Sequence, residues 1–155
     1  MASRTLRRFL QLNRQQKRIV LAAATALVLT RAGLRIFGFR QWQNFLGSFG
    51  QRATAETFTG NSIVRARQIA KLQLSAERHL FLRSNCLEHS LVLLWLLRRE
   101  GIAGILRLGG RKQGDQFEAH AWVEVSGASL DNVDGDAMEF VPFDGARSSL
   151  ETEIP

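Results

Sequence analysis

The hydrophobic period of the chain changes at Gly101, and that change limits the folds open to it. Before Gly101, the stretch from Leu87 to Leu97 is apolar on nearly every side and ends in Arg98-Arg99-Glu100-Gly101. A helix without a polar face is normally the buried helix of its domain. The two arginines suit its negative C-terminal end, and Gly101 can take the left-handed cap. After Gly101 the period shortens to that of strands. "IAGILRLGG" is short and branched, "QFEAHAWVEV" alternates, "SLDNV" follows a Ser-Gly turn and "MEFVPFD" closes the series. Helices, one buried helix, then an antiparallel meander of about four strands predict an α+β domain, a buried helix packed on a small antiparallel sheet.

With 155 residues the chain suits one domain and an appended segment. Helices are expected over about 5–37 and 39–49, a polar loop over 50–61, and a further helix over about 63–74, whose Ile63, Ala66, Ile69, Ala70 and Leu74 share a face. We divide the chain into a basic helical segment, 1–60, and a domain, 61–155. The apolar run Ile19 to Thr30 is 12 residues long between Arg18 and Arg31, short of the roughly 20 needed to span a bilayer. From Met1 to Ser84 there are 15 Lys/Arg against 2 Asp/Glu, and from Asn85 onward 6 against 12. A basic front half points to an acidic peptide or an anionic membrane surface as partner. No phosphate loop, zinc-finger spacing or aromatic-basic motif supports nucleic acid. One cysteine excludes an internal disulfide, and a lone thiol fits a reducing, cytoplasmic setting.

That cysteine, Cys86, follows Asn85, a good N-cap, with Glu88 placed to complete a capping box. In the first turn of a helix the unpaired N–H groups favour negative charge on the sulfur and can hold an oxyanion. A nucleophilic cysteine needs a base, and the chain has His79, His89 and His120. His79 lies in a charged stretch and reads as solvated. His89 is three residues after Cys86 on the same helical face, but nothing nearby in sequence orients it. Cys86, His89 and His79 offer too few ligands for a metal site.

His120 lies mid-strand, with Trp122 and Glu124 on its face. If Ser126-Gly127 form a two-residue turn, Val125 pairs with Ala128 and Trp122 with Asp131, which makes Asp131 the same-face diagonal neighbour of His120. A three-residue turn would favour Asn132 instead. Glu124 is four residues along the strand, about 13 Å away, too far to orient the ring.

"NCLEHSLVLLWLLRREGI", then "LRLGGRK", "FEAHAWVEVSG" and "FVPFD", resembles the leader peptidases of lasso peptide biosynthesis, the transglutaminase-like B proteins. Those proteins carry, in this order, a Cys-Leu-x-x-Ser-Leu helix, an Arg-Arg-x-Gly-Ile turn, a Leu-x-x-Gly strand and an Ala-His-Ala-Trp-Val-Glu strand. The resemblance covers about Asn85 to Asp144. It implies a transglutaminase or papain-like core, with Cys86 as nucleophile, His120 as general base and then acid, and Asp131 holding the imidazole. It implies no metal or nucleotide cofactor. The substrate would be a ribosomal precursor with its leader, and the partners a separate small leader-recognition protein and a macrolactam-forming cyclase. The basic segment would dock a partner, the leader or a membrane. A transglutaminase-like acyltransferase and a non-catalytic peptide-binding scaffold are the alternatives. Glu88-His89 departs from the resemblance, because the family often has a basic or small residue there.

Overall fold

The structure is a computed structural model and describes residues 11–48, 60–79, 84–113, 115–130 and 140–143. Among these are three helices and a curled four-stranded antiparallel sheet, an α+β arrangement. Helix α1 runs Arg14–Ser48. It begins where Asn13 accepts the Gln16 N–H at 2.8 Å and Gln16 accepts the Asn13 N–H at 3.0 Å. This capping box interrupts the helix expected from residue 5, and residues 1–10 lie outside the described part. The expected break between 37 and 39 is present. Gly38 sits at φ 75°, ψ 171°, which a residue with a Cβ adopts only with strain.

Beyond Gly38 the Trp42 ring lies on the backbone of Gly33, where a Cβ would come within 2.2 Å of it. Phe37 and Phe45 stack on the same ring at 6.3 and 5.0 Å.

Helix α2, Gly60–His79, exceeds its expected limits at both ends. Gly60 and Asn61, expected in a loop, are helical; the rest of that loop up to residue 59 lies outside the described part. The C-terminal extension was hidden because the inward face continues with polar residues, Gln73 and Glu77, both buried. Helix α3, Cys86–Arg99, closes as expected. Gly101 is left-handed (φ 73°), its N–H bonds Arg98 O, and the Ile102 N–H bonds Leu97 O, a Schellman motif.

Residues of α1 (Ile19, Ala23, Leu27), α2 (Ile69), α3 (Leu93, Leu97) and the sheet (Leu106, Val123, Val125) belong to one buried cluster. Helix α1 thus contributes to the same core as α3, and it packs on both other helices.

The strands are β1 (Ile105–Gln113), β2 (Gln116–Val125), β3 (Ala128–Ser129) and β4 (Val141–Pro142). Ser126 and Gly127, both at positive φ, form the two-residue turn, and Val125 faces Ala128. The sheet order is β3-β2-β1-β4, so the expected meander is corrected: β4 does not continue beyond β3 but pairs with β1 at the opposite edge. Gly109 makes this possible, because a Cβ there would meet Val141 O at 2.5 Å and Trp122 at 2.7 Å.

Gly33 supplies a test of packing with an unusual sign. Glycine to alanine inside a helix ordinarily stabilises by up to about 1 kcal/mol. Here the Trp42 ring occupies the space, so Gly33→Ala is expected to destabilise by about 1–3 kcal/mol in urea unfolding.

Candidate active site

Cys86 opens α3 and is half-buried. Asn85 accepts the Glu88 N–H at 2.8 Å, and Glu88 accepts the Asn85 N–H at 3.3 Å, completing the capping box read from the sequence. The Glu88 carboxylate is buried, and a buried charge needs a partner. It receives one from α1: Arg31 donates to it twice, at 3.0 and 3.3 Å. The backbone around Cys86 is thus held by a local cap and by a clamp reaching 57 residues back.

One turn further along, Ser90 is fully buried and donates to the Ala121 carbonyl at 2.9 Å. Val123 O accepts from Leu130 on the β3 side, and carbonyls two residues apart in a strand point the same way. Ser90 therefore fills the β3 side of β2 beside His120. This bond sets the start of α3 against the strand that carries the histidine. Among the described residues no hydrogen bond joins the Cys86 sulfur to the ring of His120 or of His89.

His120 faces Gly109 across the ladder. Its ring stacks on Phe140 at 4.6 Å and lies parallel to Trp122 at 6.1 Å. Arg111 covers Phe140 at 4.6 Å and pairs with Glu118 at 2.8 Å. Burial among these rings holds His120 below the usual histidine range; Glu118 opposes the shift, while Arg111 and His89 add to it. Glu124, too far to orient His120, instead accepts from Trp122 Nε1 and from Arg107, both at 3.0 Å. The turn has the register on which the pairing of Trp122 with Asp131 was based. Asp131 and Asn132 themselves lie outside the described residues.

His89 departs from the sequence reading, because it does have an orienting group. Glu77 of α2 meets its Nδ1 at 2.7 Å and accepts from Ser84 at 2.6 Å. Gln73 donates to Glu77 at 3.1 Å and to the His89 carbonyl at 2.9 Å. Burial would push the Glu77 carboxyl up, but the contacts with His89, Ser84 and Gln73 outweigh it and hold the carboxyl below its usual range. The partner was missed because it lies 12 residues away on another helix. The His79 side chain lies outside the described part. Among the described residues no three His, Cys, Asp or Glu side chains group as metal ligands.

The model of the transglutaminase-like superfamily matches residues 26–143. The chain belongs to that superfamily. Comparison with curated proteins and with solved structures gives no match. The transglutaminase-like superfamily includes cysteine proteases and transglutaminases, whose common step is acyl transfer to a cysteine sulfur. The match begins inside α1, upstream of the division at residue 60.

For this transglutaminase-like chain the lowered His120 value has a defined sign. Unfolded histidine titrates near 6.5, and in the folded protein the proton is taken up only at lower pH. The stabilising contribution is therefore complete above about pH 6.5 and is lost as the pH falls through the window below it. Proton–nitrogen NMR titration is expected to give a His120 midpoint below 6.5, lower still in Glu118→Gln; a midpoint at or above 6.5 contradicts the burial argument.

Proposed function

We propose that the protein is a cysteine peptidase that removes the leader from a ribosomally made lasso peptide precursor, acting with a separate leader-recognition protein and a macrolactam-forming cyclase. The observation that carries this reading is the Ser90–Ala121 bond. Ser90 belongs to the Cys-Leu-x-x-Ser-Leu helix and Ala121 to the Ala-His-Ala-Trp strand, so the two motifs of the resemblance are joined by one of their own side chains. Superfamily membership and the capped start of α3 support the same reading.

In this reading His120 takes the thiol proton and Cys86 attacks the scissile carbonyl. The Cys86 N–H helps to hold the oxyanion, and Asp131 holds the imidazole. The tetrahedral adduct collapses, His120 protonates the departing amine, and the core is released with a free amino terminus. Water, deprotonated by His120, then cleaves the leader thioester to a carboxylate and restores the thiol. Burial holds His120 below the usual histidine range, which keeps the ring neutral, the form that can accept a proton, at physiological pH.

A second reading of the base follows from the 2.7 Å contact between Glu77 and His89. An imidazole bonded through Nδ1 to a carboxylate is oriented as catalytic histidines are, and His89 is on the first turns of α3 with Cys86. Interception of the thioester by an amine in place of water would make the protein an acyltransferase.

The discriminating experiment incubates precursor and recognition protein with each variant and identifies the products by mass spectrometry. Cys86→Ala is expected to abolish leader release, and His120→Ala to lower kcat/KM by about 10²–10⁴-fold. His89→Gln is expected to cost less than about tenfold. Release by Cys86→Ala would overturn the peptidase reading. A severe loss in His89→Gln with a mild one in His120→Ala would transfer the base to His89. An amide-linked leader would identify an acyltransferase.

A further inference from the structure

The outer face of α1 is not used by the proposed chemistry. Leu21, Val28, Leu29 and Ile36 are 59, 56, 55 and 71% exposed. Their spacing of seven and eight residues places them on one side of the helix, with the exposed Thr25 and Ala32 between them. From Leu21 to Ile36 this stripe is about 22 Å long at 1.5 Å per residue. Single exposed apolar residues are ordinary on a protein surface, but a continuous row is a contact surface.

We propose that this face is the surface by which the protein lies on an anionic membrane. Charge selects the occupant. Arg14, Lys17 and Arg18 stand at one end of the stripe, Arg35 and Arg40 at the other, and residues 1–55 contain ten Lys/Arg and no Asp/Glu. A row of large apolar residues on a segment whose own charges are all basic fits a sheet of acyl chains beneath anionic headgroups. Phe37 and Phe45, about half exposed beside the Gly38 break, add aromatic rings of the kind that settle at the headgroup level.

The geometry also distinguishes lying on a bilayer from crossing it. By length and composition Arg14–Leu46 is long and apolar enough to cross. The 12-residue run expected to be too short is extended because the helix continues past Arg31. However, the opposite side of the helix carries Ile19, Ala23, Leu27 and Thr30 into the buried core, and Arg31 is bonded to Glu88 of α3. Crossing would remove those residues from the core and break the clamp; lying flat leaves both intact. The same Arg31 contact connects the membrane-facing helix to the turn that holds Cys86.

The proposal is independent of the peptidase reading and is tested by flotation of the full-length protein with phosphatidylcholine vesicles, with and without phosphatidylglycerol. Binding is expected to the anionic vesicles and to fall with added salt. The combined variant Leu21→Asn, Val28→Asn, Ile36→Asn keeps every charge and replaces only exposed residues, and circular dichroism checks its fold. It is expected to bind at least about tenfold more weakly. Equal binding by this variant would reduce the effect to attraction by the basic segment and overturn the proposal, as would equal binding to neutral vesicles. A dimer in sedimentation that the same variant dissociates would assign the stripe to a second copy. Resistance to alkaline carbonate extraction would assign it to a span.

Discussion

A single buried hydroxyl sets how helix α3 meets the sheet. Apolar packing alone does not fix the rotation of a helix that is hydrophobic all round, because that attraction has no direction. Ser90 supplies the direction. Because it is fully shielded from solvent, its hydroxyl needs an acceptor, and it finds the Ala121 carbonyl on the side of β2 where β3 pairs further along. Cys86 lies one turn before Ser90 on the same side of α3, and His120 is the neighbour of Ala121. Fixing one bond therefore sets against each other the two elements that carry Cys86 and His120.

The start of α3 is then an exercise in charge compensation. Glu88 and His89 each have a charged or chargeable partner on a different helix: Arg31 on α1 and Glu77 on α2. A glutamate in the first turn suits the positive end of the helix, but buried it would be costly without Arg31. Three helices thus converge on the turn that holds the cysteine, which explains why α1 belongs to the core and is not merely an attached arm. The sheet side is prepared differently. Gly109 leaves room for the Trp122 ring and for β4, and Phe140, immediately before β4, lies against His120.

The features legible in the sequence were those whose causes are local. Asn85 and Glu88 are three residues apart, Gly101 ends its own helix, Gly38 breaks its own, and Ser126-Gly127 turns its own hairpin, so each could be read from neighbouring residues. What escaped was non-local. No local pattern says that β4 crosses to β1, since the reason is the absence of a side chain at Gly109, more than 30 residues earlier. The end of α2 escaped because Gln73 and Glu77 occupy inward positions where apolar residues were sought. Their polarity is explained only by His89 and Ser84, which come from beyond the helix. Of the proposed site, the positions of Cys86 and His120 on a helix start and a strand were readable, whereas the bond joining those elements links residues 31 apart and has no local signature.

The central claim is that the sheet delivers an imidazole to the sulfur at the start of α3. The most direct measurement is the rate of Cys86 alkylation by iodoacetamide at neutral pH in the wild-type protein, His120→Asn and His89→Asn, with folding verified for each. The account predicts alkylation at least about tenfold slower in His120→Asn, because the sulfur loses its base, and a smaller change in His89→Asn. A His120→Asn protein that reacts as fast as wild type would contradict it.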